Sequence, residues 1–118
     1  MSKQTHTGSC HCGAVKYEFD ADVTEAFSCN CSICHRSGTL LTFVPAGDFR
    51  LLSGDDQLIS YHFNKHTIDH NFCKTCGLKS FAKGKLRDGS PMRAVNVRCV
   101  DGLDIAAIKI TPVDGKSF

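Results

Sequence analysis

Tryptophan is absent from this 118-residue chain, and proline, methionine and tyrosine together contribute only seven residues. More informative is the lack of any long apolar run. Nowhere do the ~18 apolar residues of a membrane span occur together, and Met1-Ser2-Lys3-Gln4-Thr5-His6-Thr7-Gly8 holds no apolar core of a secretory signal. The chain therefore reads as cytoplasmic, with no membrane partner. Strong charge of one sign is missing too. A formal net charge of +2 and basic residues scattered along the chain supply no stripe for nucleic acid. Helical spacing is also lacking, because no window of about eleven residues keeps apolar side chains at i, i+3, i+4 and i+7. With no repeat, low-complexity tract or linker, a single domain over residues 1–118 is expected, its core at about 8–110.

What is present instead is alternation. Val15, Tyr17 and Phe19 interleave with Lys16, Glu18 and Asp20, the pattern of a half-buried strand. Thr39 to Val44 is a second extended run stopped by Pro45, and Asp48 to Leu52 resumes it. Ser53-Gly54-Asp55-Asp56 has turn composition, after which Leu58 to Phe63 alternates again and sets Ile59, Tyr61 and Phe63 together. Val95, Val97 and Cys99 share one side of a further strand, and Asp104 to Ile110 is an apolar run ended by Pro112. The aromatic residues are spaced as core, with Phe43 and Phe72 also able to wall a pocket. The fold class is mainly β, a small zinc-bound domain of short antiparallel sheets. So thin a core needs crosslinks between distant segments, so at least one metal should be structural.

Seven of the eight cysteines supply those crosslinks in three clusters: Cys10-His11-Cys12, Cys29-Asn30-Cys31-Ser32-Ile33-Cys34, and Cys73-Lys74-Thr75-Cys76. In a reducing compartment thiolates stay free for metal, and pairing Cys10 with Cys12 or Cys29 with Cys31 would close a strained small ring. Zinc, two ions of it, is the expected cofactor. Cys10, Cys12, Cys73 and Cys76 can fill one tetrahedron, a closed structural centre. Cys29, Cys31 and Cys34 then leave a fourth position for water, a substrate thiol, or His35, His66 or His70. A ribbon joining the middle cluster to Cys73 and Cys76 satisfies the same spacing. Cys99, alone on an apolar strand face, reads as a buried free thiol.

Four ordered motifs carry a family resemblance: Gly8-Ser9-Cys10-His11-Cys12-Gly13, Cys29 to Arg36, Phe72-Cys73-Lys74-Thr75-Cys76-Gly77, and Val95-Asn96-Val97 with Gly102-Leu103-Asp104. Together they resemble the glutathione-dependent formaldehyde-activating enzymes, also called the centromere protein V/GFA domain. The resemblance implies a β fold with a structural zinc on Cys10, Cys12, Cys73 and Cys76 and a catalytic zinc on Cys29, Cys31 and Cys34. It also implies carbon–sulfur lyase activity, the reversible joining of glutathione and formaldehyde into S-hydroxymethylglutathione. Asn30 and His35 stand where the family often has His and Arg, at the rim of the open centre.

The expected partners are thus a small-molecule thiol, which the resemblance implies is glutathione, and its aldehyde adduct. A thiol held as thiolate and aimed at a carbonyl carbon gives a hemithioacetal, and the reverse step cleaves the carbon–sulfur bond. His35, next to a ligand of the open cluster, is the candidate proton carrier. Arg36, Lys74 and Lys79 are candidates to meet substrate carboxylates. Asn96 lies on the polar face of its strand, and the sequence assigns it no role. The competing reading is a zinc-stabilised binding module without chemistry, its fourth position closed by His35 or His70. A redox role for the thiols ranks last, because metal-bound thiolates resist oxidation.

Overall fold

The computed structural model describes residues 3–62, 68–86 and 88–114. Phe63 and His66, named above as a strand residue and a candidate ligand, lie outside them. The fold is mainly β, and the described residues form ten strands in two sheets.

The smaller sheet is antiparallel and ordered β1 (Gln4–Ser9), β2 (Lys16–Ala21), β5 (Phe49–Ser53). The larger has seven strands. Its order is β10 (Lys109–Val113), β3 (Glu25–Cys29), β4 (Leu41–Pro45), β9 (Pro91–Asn96), β8 (Phe81–Lys85), β7 (Asp69–Cys73) and β6 (Leu58–Tyr61). Every pairing is antiparallel except β10 with β3, which is parallel. Pro112 lies within β10 and does not end it, because an edge strand tolerates a missing N–H.

The main core forms where the small sheet covers one face of the large one. Val15, Tyr17 and Phe19 are fully buried, as their alternation predicts, and pack with Val44, Phe81 and Val95. Tyr17 stacks on Phe49 at 5.2 Å between ring centroids and meets Phe81 edge-on at 5.9 Å. Burying a Phe side chain stabilises the fold by about 2–3 kcal/mol. The Tyr17 hydroxyl donates to the carbonyl of Ser80 at 3.4 Å, so the ring reaches the large sheet with a polar contact as well.

The opposite face of the large sheet carries α1 (Ser32–Ser37). A cross-strand row of partners, Phe43, Ala94, Ala82, His70 and Tyr61, runs over five strands. Ala82 and Ala94 are small, which leaves room for Cys34 of α1 to pack against them with Leu41 and Met92. The helix is too short to show in a periodicity search. It begins at Cys31 and ends at Gly38, whose N–H caps the carbonyl of Cys34 at 2.9 Å.

Several expectations for the core need correction. Phe43, Ile59 and Tyr61 are exposed, at 42, 44 and 48 %. Alternation marks which residues share a face, but β6 is the last strand of its sheet, where a shared face does not ensure burial. Val97 and Cys99 are not in a strand, because a 3₁₀ turn, Val97–Cys99, follows β9 immediately.

Candidate metal centres and the adjoining pocket

Two tight turns build the first centre. Cys10 ends the run from β1, Cys12 follows in the turn to β2, Cys73 closes β7, and Cys76 lies in the turn beyond it. Each turn is fixed by its backbone: the N–H of Gly13 donates to the carbonyl of Cys10 at 3.2 Å, and that of Gly77 to the carbonyl of Cys73 at 2.8 Å. Gly77 has φ 78°, a left-handed conformation that reverses the chain after Cys76 and strains any residue with a Cβ. The four Sγ atoms lie within 4.8 Å of one another, with Cys10–Cys12 and Cys12–Cys73 both at 3.6 Å.

That spacing fits a metal. A tetrahedral zinc at ~2.3 Å from each sulfur separates its ligands by about 3.8 Å. Amide groups also point at the sulfurs, Val15 N–H to Cys10 Sγ and Thr75 N–H to Cys73 Sγ, each at 3.4 Å. Such amides stabilise thiolate over thiol. Hydrogen bonds from the amides of Cys12 and Leu78 bring Cys76 down to about 6, and the amide of Cys76 lowers Cys73. Cys12 moves the other way: the Ala14 amide favours its thiolate, but burial and the neighbouring sulfurs outweigh it and raise the group to about 11. One sulfur is thereby the last to ionise, as expected when thiols crowd together without a cation.

The second group is Cys29 at the end of β3, Cys31 at the N-cap of α1 and Cys34 inside it, again with all Sγ atoms within 4.8 Å. Among the described residues no histidine nitrogen or carboxylate oxygen joins either group. The Cys31 amide donates to Cys29 Sγ at 3.5 Å. Burial opposes ionisation of Cys31, yet the amides of Cys34 and Ile33 and its neighbouring thiols hold it below the usual thiol range. Cys34 is 6 % exposed, and its burial raises it to about 11 against the opposing pull of the Thr39 hydroxyl and Lys79. The two sets of sulfurs are therefore separate, and the ribbon pairing of the middle cluster with Cys73 and Cys76 does not form.

A pocket of about 550 Å³ adjoins the three-cysteine group. Cys29, Cys34, His35 and Thr39 line it from β3, α1 and the loop beyond, and Arg98 and Asp114 from the C-terminal part of the chain. Asn30 ties that wall together, its amide donating to the Asp114 carboxylate at 2.9 Å and its backbone N–H to the carbonyl of Val113 at 3.1 Å.

The sequence and the three-dimensional site agree in some places and part in others. His35 lines the pocket, whereas the Nδ1 of His70 faces Lys79 Nζ at 3.2 Å. Arg36 turns back on its own helix to the carbonyl of Ser32 at 3.0 Å, Lys74 is exposed, and Lys79 is buried outside the pocket lining. Arg98 and the β10 wall were not foreseen. The local signal for Arg98 was Asn96, whose Oδ1 accepts from the Arg98 N–H at 3.2 Å while its Nδ2 donates to the carbonyl of Lys79 at 3.1 Å. Asn96 is thus a buried tie between the Lys79 and Arg98 main chains. Cys99 is partly buried, which raises it to about 11, and it belongs to neither group of sulfurs.

Residues 5–112 match the model of one protein family. The chain belongs to the glutathione-dependent formaldehyde-activating enzyme family. Its structure is also similar to the crystal structure of a Rhodobacter sphaeroides protein solved as a structural genomics target. That likeness has a TM-score of 0.76 at 31 % identity and covers 90 % of this chain and 97 % of the other. The family match takes in both cysteine groups and Arg98, and ends at Pro112 in the pocket wall.

Proposed function

We propose that this family member is a zinc-dependent carbon–sulfur lyase that forms and cleaves the adduct of a small thiol, glutathione or a near relative, with a small aldehyde. One observation carries the reading. Three sulfurs converge without a fourth side-chain donor among the described residues, at the edge of a pocket large enough for a substrate.

Cys29, Cys31 and Cys34 would hold the catalytic ion, and Cys10, Cys12, Cys73 and Cys76 the structural one. When bound, zinc in the open centre supplies Lewis acidity that keeps a substrate thiol ionised and stabilises it as a leaving group. The chain's own groups do the rest. The Thr39 hydroxyl beside Cys34 and the amides around Cys31 hydrogen-bond to these sulfurs and favour their thiolate forms. Arg98 offers a guanidinium to the carboxylate of an anionic thiol, and among the described residues no acidic side chain forms an ion pair with it.

The reaction balances without an oxidant. In the forward direction the sulfur pair attacks the carbonyl carbon, a C–S bond forms, and the C=O π pair moves to oxygen. An imidazole nitrogen of His35, on the pocket wall, passes to that oxygen the proton released by the thiol. In reverse His35 accepts the hydroxyl proton while the C–S bond breaks.

The test is exchange NMR on zinc-loaded protein with glutathione and formaldehyde. The wild type should accelerate adduct formation and breakdown, and Cys31→Ser should lose both while its zinc content falls from two ions to one. No acceleration by the wild type across glutathione, cysteine and cysteamine would reject the lyase reading.

A further inference from the structure

Lys79 is the only buried cation among the described residues, 7 % exposed. Its Nζ sits 3.2 Å from Nδ1 of His70, itself 6 % exposed. With Lys79 as the ammonium, Nζ donates and Nδ1 accepts, which places the ring proton of a neutral imidazole on Nε2. Burial, and then the charge of Lys79, push His70 down to about 4. His70 therefore cannot serve as a counter-charge, and among the described residues no carboxylate forms an ion pair with Lys79.

A buried ammonium without an anion is costly, and lysines in such places are normally paired or lose their proton. The placement of Lys79 supplies the missing anion. His70 is registered opposite Ala82, and Ala82 packs in one cluster with Cys34. Burial holds Lys79 below the usual lysine range, and the charges of Cys34, Cys31 and Cys29, in that order, act against that shift. These are the three sulfurs of the open centre. Its main-chain carbonyl is held by Asn96, which fixes where the side chain starts.

We propose that Lys79 is the built-in counter-ion of the three-cysteine centre. It balances the net charge of about −1 left by three thiolates around a divalent ion, and so favours entry of a fourth, anionic sulfur from substrate. Lys79 does not line the pocket, so it acts through the ligands and is a positioning residue. The selectivity that follows is for ligands that arrive as anions at sulfur: without the lysine each incoming thiolate would meet an uncompensated negative centre.

The inference rests on the three-cysteine group holding a metal, and cobalt(II) tests both at separate points. Cobalt titrated into wild type and Cys31→Ser, read by sulfur-to-metal charge-transfer bands, establishes the open centre. Failure of the wild type to take a second ion there overturns the site reading and the counter-ion with it. Given that ion, Lys79→Met and Lys79→Gln should bind the second cobalt about tenfold more weakly than wild type. Their affinity for glutathione, read from the change in the same bands, should fall by a similar factor. Lys79→Arg, which keeps the charge, should stay within about threefold of wild type. The first cobalt, in the four-cysteine centre, is the internal control for folding. Lys79→Gln keeps a donor for His70, so it remains informative if Lys79→Met fails to fold. Neutral variants within about twofold of wild type in both affinities would overturn the counter-ion, as would Lys79→Arg falling as far as Lys79→Gln.

Discussion

Cys12 Sγ and Cys73 Sγ lie 3.6 Å apart although 61 positions separate them in the chain. Their contact pins the turn between β1 and β2, in the small sheet, to the end of β7, in the large one. An ion bound there bridges the two layers whose inner faces make the main core.

Loss of that bridge should therefore be felt by the whole fold. Cys73→Ser is expected to lower the melting temperature by on the order of 10 °C or more, or to abolish cooperative melting, and a strong chelator should do the same to wild type. Cys31→Ser should melt within a few degrees, ~3 °C, of wild type, because its cluster joins neighbours within one segment. Circular dichroism melts of both variants decide it; equal losses would reject the division of labour between the centres.

Gly54 should tolerate no side chain. It has φ 91°, and a Cβ there would sit 2.3 Å from the carbonyl oxygen of Ala14, in the turn that holds Cys10 and Cys12. Neither obstacle is a flexible side chain, so Gly54→Ala is expected to destabilise by about 2–3 kcal/mol in denaturant titration, with the four-cysteine centre loosened in the same variant.

Acid should reveal the ion pair on the small sheet. Arg50 donates to both carboxylate oxygens of Asp20 at 3.0 and 3.1 Å and to Glu18 at 2.7 Å. Those bonds, with one from Thr5, hold Asp20 at about 2 against an ordinary value of 3.8. A lowered folded value means that the stabilisation is complete above about pH 4 and disappears as pH falls toward 2. The margin in melting temperature of wild type over Arg50→Met should be constant between about pH 5 and 7 and shrink below pH 4. Because both proteins lose metal in acid alike, the difference between them isolates the pair.

Arg98 should set the preference for carboxylate-bearing thiols. Arg98→Gln is expected to weaken binding of S-methylglutathione about tenfold by calorimetry, and to raise KM for a glutathione adduct with kcat little changed. Cysteamine, which has no carboxylate, should not discriminate between wild type and the variant. Equal losses for both thiols would show that Arg98 shapes the pocket and does not read charge.

Much of this was legible in the chain. Strict alternation marked Val15, Tyr17 and Phe19, and all three are fully buried. Cysteine spacing proposed two groups of sulfurs, and those same residues converge in space. What escaped was of another kind. The parallel contact of β10 with β3 joins residues some eighty positions apart, and nothing local announces it. Lys79 was a candidate to meet substrate carboxylates because lysine is usually exposed; only the fold shows that it is buried beside His70. Tyr61 and Ile59 alternate as a core strand does, yet both are exposed on β6, the last strand of its sheet.

The three-cysteine group is complete once residue 34 has been synthesised, whereas its four-cysteine counterpart must wait for Cys76 and the pocket wall for β10. On the ribosome, then, the short cluster is the earlier trap for a cation, before either sheet can close. An ion held there would be in place before β10 supplies the last wall of the pocket.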